Sequence, residues 1–465
     1  MHPRSHASHG LLKPAMPQPL EPLPERLPAV ETRAKLPAGF RAGGLIAGIK
    51  PSGRPDLAIV ATTGESAAAA AVFTRNQVVA APIKISRRHL AATEVTSGGR
   101  FGWADAIIAT AGCANAATGV EGEEDQYAVC KALAAALGTR TERSLALSTG
   151  VIGVRLPLNK VRDGIARLVP ELAETDEALV AVSRALMTTD TVAKLATTSI
   201  EVTGPHHEPI EVTVSGVAKG VGMIHPRMAT MLAIIMTDAS VAPAALHGML
   251  SSIAQRTWNQ TSVDGDTSTN DTVFLLASGA AGVQIVEGTP EAAAFAAAVE
   301  AVARSLARQQ AADGEGATTL ITCQVSGAAD DYDARAVARS VVSSQLLKAA
   351  VYGRDPNWGR VASGAGNARL PDAEMLVAAG MHRTEATARA GRLPEMDVDK
   401  MRISIAGTLV YAGTPLEFDR PAVAKAMNAP EVLIRVDLGI GGGSGEAFGC
   451  DLTEGYVKEN AEYTT

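Results

Sequence analysis

The chain is poor in cysteine, with only 4 among 465 residues. Cys113, Cys130, Cys323 and Cys450 stand too far apart for a CxxC metal motif or a dense disulfide framework, which fits a reducing compartment. Charge of one sign is not gathered either. The 42 Lys and Arg face 49 Asp and Glu, for a net charge of -7, and no tail or helix face concentrates basic residues into a nucleic-acid footprint. Long hydrophobic runs are missing as well: no segment reaches the ~20 apolar residues that span a bilayer. The N-terminus lacks an apolar signal core followed by a small-residue cleavage site. The expectation is a cytoplasmic protein with neither a nucleic-acid nor a membrane partner. What is present is material for a core. With 46% hydrophobic and 20% charged residues, the chain can bury a large interior, and its length allows about two to three domain-sized units.

Residues 1–36, including PAMPQPLEPLPERLPAVETR, are proline-rich with little hydrophobic periodicity. That composition argues for an extended or disordered arm, and disorder is the expectation. Beyond it, DLAIVATT and DAIIATAG are short apolar runs bounded by turns, the pattern of buried strands. GEEDQYAVCKALAAALG predicts a helix with acidic residues at its start and Gly138 as its stop. Thr289 and Pro290 suit the N-cap and first position of a second helix. Its Phe295, Val299, Val302 and Leu306 recur on one face, and it should end near Asp313 and Gly314. A third helix is expected over 333–353, with Val337, Val341, Leu347 and Val351 along a stripe and Gly353 closing it. PIEVTVSGV, TTLITCQVSGA, MRISIAGTLVYAG and VLIRVDLGI read as strands. Strands and helices mix without a regular βαβ alternation, so the expected class is α+β with layered sheets.

Several motifs invite chemistry and fail on spacing. In GIGGGSG, Gly439 to Gly445, Ser444 stands where the third glycine of GxGxxG belongs, and too little chain follows for a dinucleotide-binding unit. A tight turn or bulge explains it. Nor is Ser444 a nucleophile elbow, since Glu446 follows Gly445. His206, His207 and Glu208 lack HExxH spacing and sit before a proline, as in a solvated turn. SVDGDTSTNDT, Ser262 to Thr272, has Gly265 too early for an EF-hand. Turns and caps account for much of it, although so polar a stretch beside TVFLLASG could also line a pocket. No metal site is expected.

Lys219 to Leu232 reads KGVGMIHPRMATML. A β-branched Thr230 suits the start of the apolar strand that follows. Three features point elsewhere: Ala229 is small enough to admit close approach, Gly220 and Gly222 permit unusual backbone, and the strand would hold Thr230 rigidly. An N to O acyl shift at Ala229-Thr230 followed by ester hydrolysis would free an amine of pKa ~7.7 to 8.0. That amine is a base beside its own hydroxyl, the N-terminal threonine form of nucleophile activation. On the residues alone, both readings stand.

The same segment closely resembles the self-cleavage site of the glutamate N-acetyltransferase family, the ornithine acetyltransferases of arginine biosynthesis (ArgJ). GFRAGGLIAGIK, FTRNQVVAAP, LSTGVIG, MTTDT, SVDGDTSTNDT, DPNWGRV and YVKENAEYTT resemble further family blocks in family order, from about Gly39 to the C-terminus. The resemblance implies an α/β layered sandwich of the self-processing N-terminal-nucleophile type. It implies cleavage between Ala229 and Thr230 into an α chain, residues 37–229 beyond the arm, and a co-folded β chain, residues 230–465, assembled as an α2β2 heterotetramer. Thr230 would take the acetyl group from N-acetylornithine and pass it to glutamate in a ping-pong transfer, with no cofactor; some members also accept acetyl-CoA as a co-substrate and others do not.

By motif, Thr149 and Gly150 match the oxyanion hole. Lys219, Thr188 or its neighbour Thr189, Glu315, Asn460 and Thr465 match substrate contacts. Without the resemblance, Glu315 reads as a surface acid at a helix stop, Asn460 as a turn residue and Thr465 as a frayed terminus. One block departs: TAGCANAATG, Thr110 to Gly119, stands where the family commonly has an NSGNANA-like segment. Two alternatives belong to other classes, a self-processing aminopeptidase that would pass the acyl group to water, and an uncleaved binding protein for small amino acids.

Overall fold

The computed structural model describes residues 20–204, 206–225 and 231–462. Two sheets form the centre. A four-stranded sheet carries, in spatial order, Phe40–Leu45, Leu57–Thr62, Ala106–Cys113 and Ser144–Val151. A six-stranded sheet runs Phe101–Ala104, Ala67–Phe73, Thr272–Ala277, Leu232–Thr237, Pro209–Lys219 and Lys194–Thr203. The period-2 alternation of strands explains how they stack. Ala67, Ala69, Ala71 and Phe73 join the same buried cluster as Ala58, Val60, Ile107 and Leu145 from the four-stranded sheet. Ala68, Ala70 and Val72 turn the other way, into a cluster with Phe295, Val299, Val302 and Leu306.

The outer face of the four-stranded sheet, Leu57, Ile59 and Ala61, packs with Val129 and Leu133 of the helix Gly119–Leu137 and with Val161 and Ile165 of Leu158–Leu168. The result is helix, sheet, sheet, helix: the expected α+β class with layered sheets. A further six-stranded sheet, built around Leu320–Ala328 and Glu431–Asp437, has its own core with Val337, Val341 and Leu347.

Local sequence chemistry sets the helix ends. Thr289 accepts from the Ala292 amide and Pro290 opens Pro290–Ala312, as expected. Gly138 closes Gly119–Leu137 in the left-handed region, at φ 73°. The third expected helix is two: Asp331–Val342 ends at Ser343, and Ser344 caps Gln345–Tyr352 by accepting from the Leu347 amide. A serine side chain offers the backbone a local partner and so favours a cap over a helix interior. MRISIAGTLVYAG folds as a hairpin, Arg402–Ile405 against Thr408–Ala412. The glycine run enters the strand Gly443–Cys450 at a bulge opposite Val325 and Ala328, and the Gly204 amide donates to the Glu208 carbonyl while the Glu208 side chain accepts from the His206 amide.

The described part of the proline-rich arm departs from the disorder expected of it. Residues 20–36 are tied down: Glu31 bridges Thr197 on the edge strand, Thr198 donates to the Ala29 carbonyl, and Arg435 donates to that of Leu20. A free sheet edge supplies the backbone partners that a proline-rich segment cannot supply to itself. Among the described residues, no helix is long and apolar enough to cross a membrane.

Candidate active site

Lys219 is the last residue of its strand and pairs with Leu232, the first residue of the next. The chain between them therefore leaves and re-enters the sheet at one rung, which brings both ends of the predicted cleavage segment to one place. Ala229 and Thr230 lie outside the described residues, as does Thr465. The flanking residues Gly220, Gly222, Met223 and Met231 line a cavity of ≈ 160 Å³. Thr149, Gly150, Thr188, Thr189, Lys219, Glu315 and Asn460 line the same cavity. These seven predicted residues come from two sheet strands, two loops and the C-terminal helix Glu454–Glu462.

The Thr149 wall depends on a close backbone approach. Gly150 has φ 124°, and a Cβ there would lie 2.4 Å from the Gly112 carbonyl carbon, so only glycine fits. Lys219 Nζ donates to Thr149 Oγ1 at 3.3 Å. With its lone pair engaged, the threonine hydroxyl keeps its proton for another acceptor.

Behind Lys219 lies a buried chain of alternating charge. Asp190 Oδ2 is 3.9 Å from Lys219 Nζ, and Lys194 Nζ is 2.7 Å from both Asp190 Oδ1 and Asp313 Oδ2. The Gly220 amide donates to Asp190 at 2.9 Å. Burial raises the Asp190 carboxyl, but Lys219, Lys194 and that amide outweigh it and hold the group at about 2. Burial pulls the Lys219 ammonium below its ordinary value, and Asp190 opposes the fall.

Across the cavity, Glu315 accepts from Thr189 Oγ1 at 2.8 Å and from Asn460 Nδ2 at 3.0 Å, while its own amide donates to the Val221 carbonyl at 2.8 Å. A Cβ at Gly222 would fall 2.3 Å from Glu315 Oε2; the glycine lets the carboxylate rest against the chain. Glu315 is thus far from the ordinary surface acid that its position after a helix suggests.

Sequence reasoning missed part of the lining and the charges behind it. Asp190 sits inside MTTDT, but its burial depends on Lys194, Lys219 and Asp313 meeting it in space. Ser268 to Asp271 of the polar stretch line the cavity, the pocket option weighed for it. Asn270 Nδ2 donates to the carbonyls of Ala114 at 2.6 Å and Ser148 at 2.8 Å, which anchors that stretch to the Thr149 strand. Ala114 belongs to the departing block TAGCANAATG and also lines the cavity. Asp271 is buried, and burial pushes its carboxyl well above the usual carboxylate range.

Chemically, the cavity offers a cation on one wall, a carboxylate on the other, and hydroxyl and amide groups between them. That set matches an amino acid's carboxylate, its ammonium and the oxygen of an acyl group. Among the described residues, no group of three or more His, Cys, Asp or Glu is arranged to hold a metal ion.

Comparison with known proteins follows this geometry. The family model described as "ArgJ family" matches residues 41–465. The chain is 42% identical over 449 residues to the arginine biosynthesis bifunctional protein ArgJ of Synechocystis, covering 94% of this chain and 98% of that protein. It is 43% identical over 431 residues to the protein of the same name from Thermus thermophilus, covering 93% and 99%. Among solved structures, argJ of Bacillus halodurans is 37% identical, with a TM-score of 0.43 over 50% of this chain and 98% of that one. The ornithine acetyltransferase of Mycobacterium tuberculosis, solved with ornithine, is 38% identical, with a TM-score of 0.38 over 43% and 99%.

Proposed function

From the premise that the chain belongs to the ArgJ family, we propose that the cavity beside Met231 performs the acetyl transfer of an ornithine acetyltransferase in arginine biosynthesis, with Thr230 as the acetyl carrier. The supporting observation is the convergence of Thr149, Gly150, Thr188, Thr189, Lys219, Glu315 and Asn460 on one cavity with the residue next to Thr230.

In this reading, the Thr230 hydroxyl attacks the carbonyl before it, the Ala229-Thr230 amide becomes an ester, and water hydrolyses the ester. The α chain then ends at Ala229 and the β chain begins with the amine of Thr230. That amine accepts the hydroxyl proton as Thr230 Oγ1 attacks the acetyl carbonyl of N-acetylornithine. Thr149 and Gly150 donate to the developing oxyanion, worth ~3 kcal/mol per donor. The C–N bond breaks, the proton passes to the leaving amine, and ornithine departs. Glutamate's amine next attacks the acetyl-threonine ester, and N-acetylglutamate leaves with Thr230 restored. Lys219 pairs with a substrate carboxylate. Glu315, held by Thr189 and Asn460, faces a substrate ammonium, with Thr465 as a further contact.

No cofactor is required by these steps. The relatives' names carry the word "bifunctional", which supports a second activity, and acetyl-CoA is the candidate second donor to the same Thr230. The two chains pair as α2β2. Intact mass tests the processing: wild type gives two fragments meeting at Ala229/Thr230, and Thr230→Ala stays whole. A wild-type preparation that runs as one uncleaved 47.8 kDa species while remaining active would sink the proposed route.

A further inference from the structure

Lys50 is buried in the loop between the strands Phe40–Leu45 and Leu57–Thr62, behind the cavity beside Met231. Asp56, also buried, accepts from the Ala47, Ile49 and Lys50 amides and so folds that loop back on itself. The fold of the loop lays the Lys50 stem against Gly112: a Cβ at Gly112 would lie 3.0 Å from Lys50 Cγ. Gly112 is in turn the residue against which Gly150 rests.

The head of the same side chain reaches the other wall. Lys50 Nζ donates to the Pro55 carbonyl at 2.6 Å within its own loop, to the Ala185 carbonyl at 3.5 Å and to the Met187 carbonyl. The helix Asp176–Leu186 ends at Met187, whose φ of -57° and ψ of 143° leave the helical region. The last carbonyls of a helix lack partners within it and carry the negative end of its dipole, and a lysine cation answers both. Thr188 and Thr189 follow Met187 directly and line the cavity, and Thr189 donates to Glu315. One side chain thus braces the Gly150 wall with its stem and the Thr188–Thr189 wall with its head.

We propose that Lys50 is a positioning residue for the acyl transfer: it sets where the Thr188–Thr189 wall, with the Glu315 carboxylate held by it, stands relative to Thr149 and Gly150. The role rests on the acetyl-transfer reading of the cavity. Lys50 acts through the Met187 carbonyl and touches no substrate. Glu315 meets the substrate ammonium already in the bound state, so loss of the brace weakens substrate binding more than it slows bond breaking.

The brace also depends on pH. Burial pulls the Lys50 ammonium down to about 8; Asp56 and Asp190 oppose the fall, and Lys219 and Arg54 add to it. Loss of the proton leaves two N–H groups for three carbonyls and removes the charge at the helix end.

Lys50→Met keeps the stem and removes the donors. Steady-state kinetics of the full-length, self-processed protein with N-acetylornithine and saturating glutamate should show KM raised about tenfold at pH 7, with kcat within about threefold. The ratio of variant to wild-type KM should shrink to about twofold at pH 9, where most wild-type Lys50 is uncharged as well. Taking the ratio cancels the titration of Thr230 and of the substrate. Lys50→Arg keeps its charge throughout, so its KM should match wild type at pH 7 and stand severalfold below it at pH 9. This second variant carries the test where the methionine variant does not fold. A fall in kcat at unchanged KM, or ratios that do not move between pH 7 and pH 9, would overturn the role, since a residue that only packs does not follow the lysine's proton. Wild type that releases no ornithine would remove the acetyl-transfer reading and this role together, whereas release with unmoved ratios would remove this role alone.

Discussion

In the cavity beside Met231 the functional charges are held by protein partners: Lys219 by Thr149 and Asp190, Glu315 by Thr189 and Asn460. In a second cavity of ≈ 420 Å³, between the helix Asp331–Val342 and the segment 369–391, Arg335 has the Tyr332 ring beneath it in place of a carboxylate. The first arrangement is preorganised, fixing each group before a substrate arrives, as transition-state stabilisation requires. In the second, a ring beneath a guanidinium fixes it less firmly than paired carboxylates do. Removing a partner should therefore be costly in the first cavity and cheap in the second.

The largest expected effect is on Asp190. Asp190→Asn leaves Lys194 and Lys219 buried with Asp313 as the remaining carboxylate, and loss of a partner from a buried ion network costs ~3 to 5 kcal/mol. Denaturant unfolding measures this, and a loss under about 1 kcal/mol would break the comparison. The same carboxylate sets a pH signature. Burial raises it, yet the lysines hold it at about 2, below the unfolded value of ~3.9. The stability it lends is thus complete above about pH 4 and lost as pH falls toward 2. The wild-type minus Asp190→Asn difference should stay flat from neutrality to about pH 4.

Next in size is Thr149→Ala, expected to lower kcat by ~100-fold or more with KM little changed, since an oxyanion donor acts in the transition state. Steady-state kinetics with N-acetylornithine checks it; an unchanged kcat with a raised KM would contradict the role. Smallest is Gln255→Leu, on the wall of the second cavity, which removes an unpaired buried amide and should change stability by no more than about 1 kcal/mol in either direction. A loss above about 2 kcal/mol would show that the Gln255 amide is firmly held in the packing and would break the comparison.

The sequence was most informative where structure is local. Thr289 and Pro290 announce a helix because a cap and a fixed φ act within one turn. The break at Ser343 and Ser344 was readable in hindsight: Val341 and Leu347 are six residues apart, a spacing that leaves the helical face. Motif resemblance supplied the lining residues, because the blocks that carry them are contiguous. It did not supply the Asp190 and Lys194 support, nor the second cavity. The first is completed by Lys219 and Asp313, which reach Asp190 and Lys194 from other elements, and the second is walled by segments far apart in sequence. The docking of residues 20–36 depends likewise on an edge strand more than 150 residues away.

The most direct test of the acetyl-transfer account is ornithine release from N-acetylornithine by wild-type protein, with and without glutamate. The account predicts sustained turnover only with glutamate, accompanied by an equal amount of N-acetylglutamate. Sustained release of ornithine and free acetate without glutamate would contradict it and assign the pocket to hydrolysis.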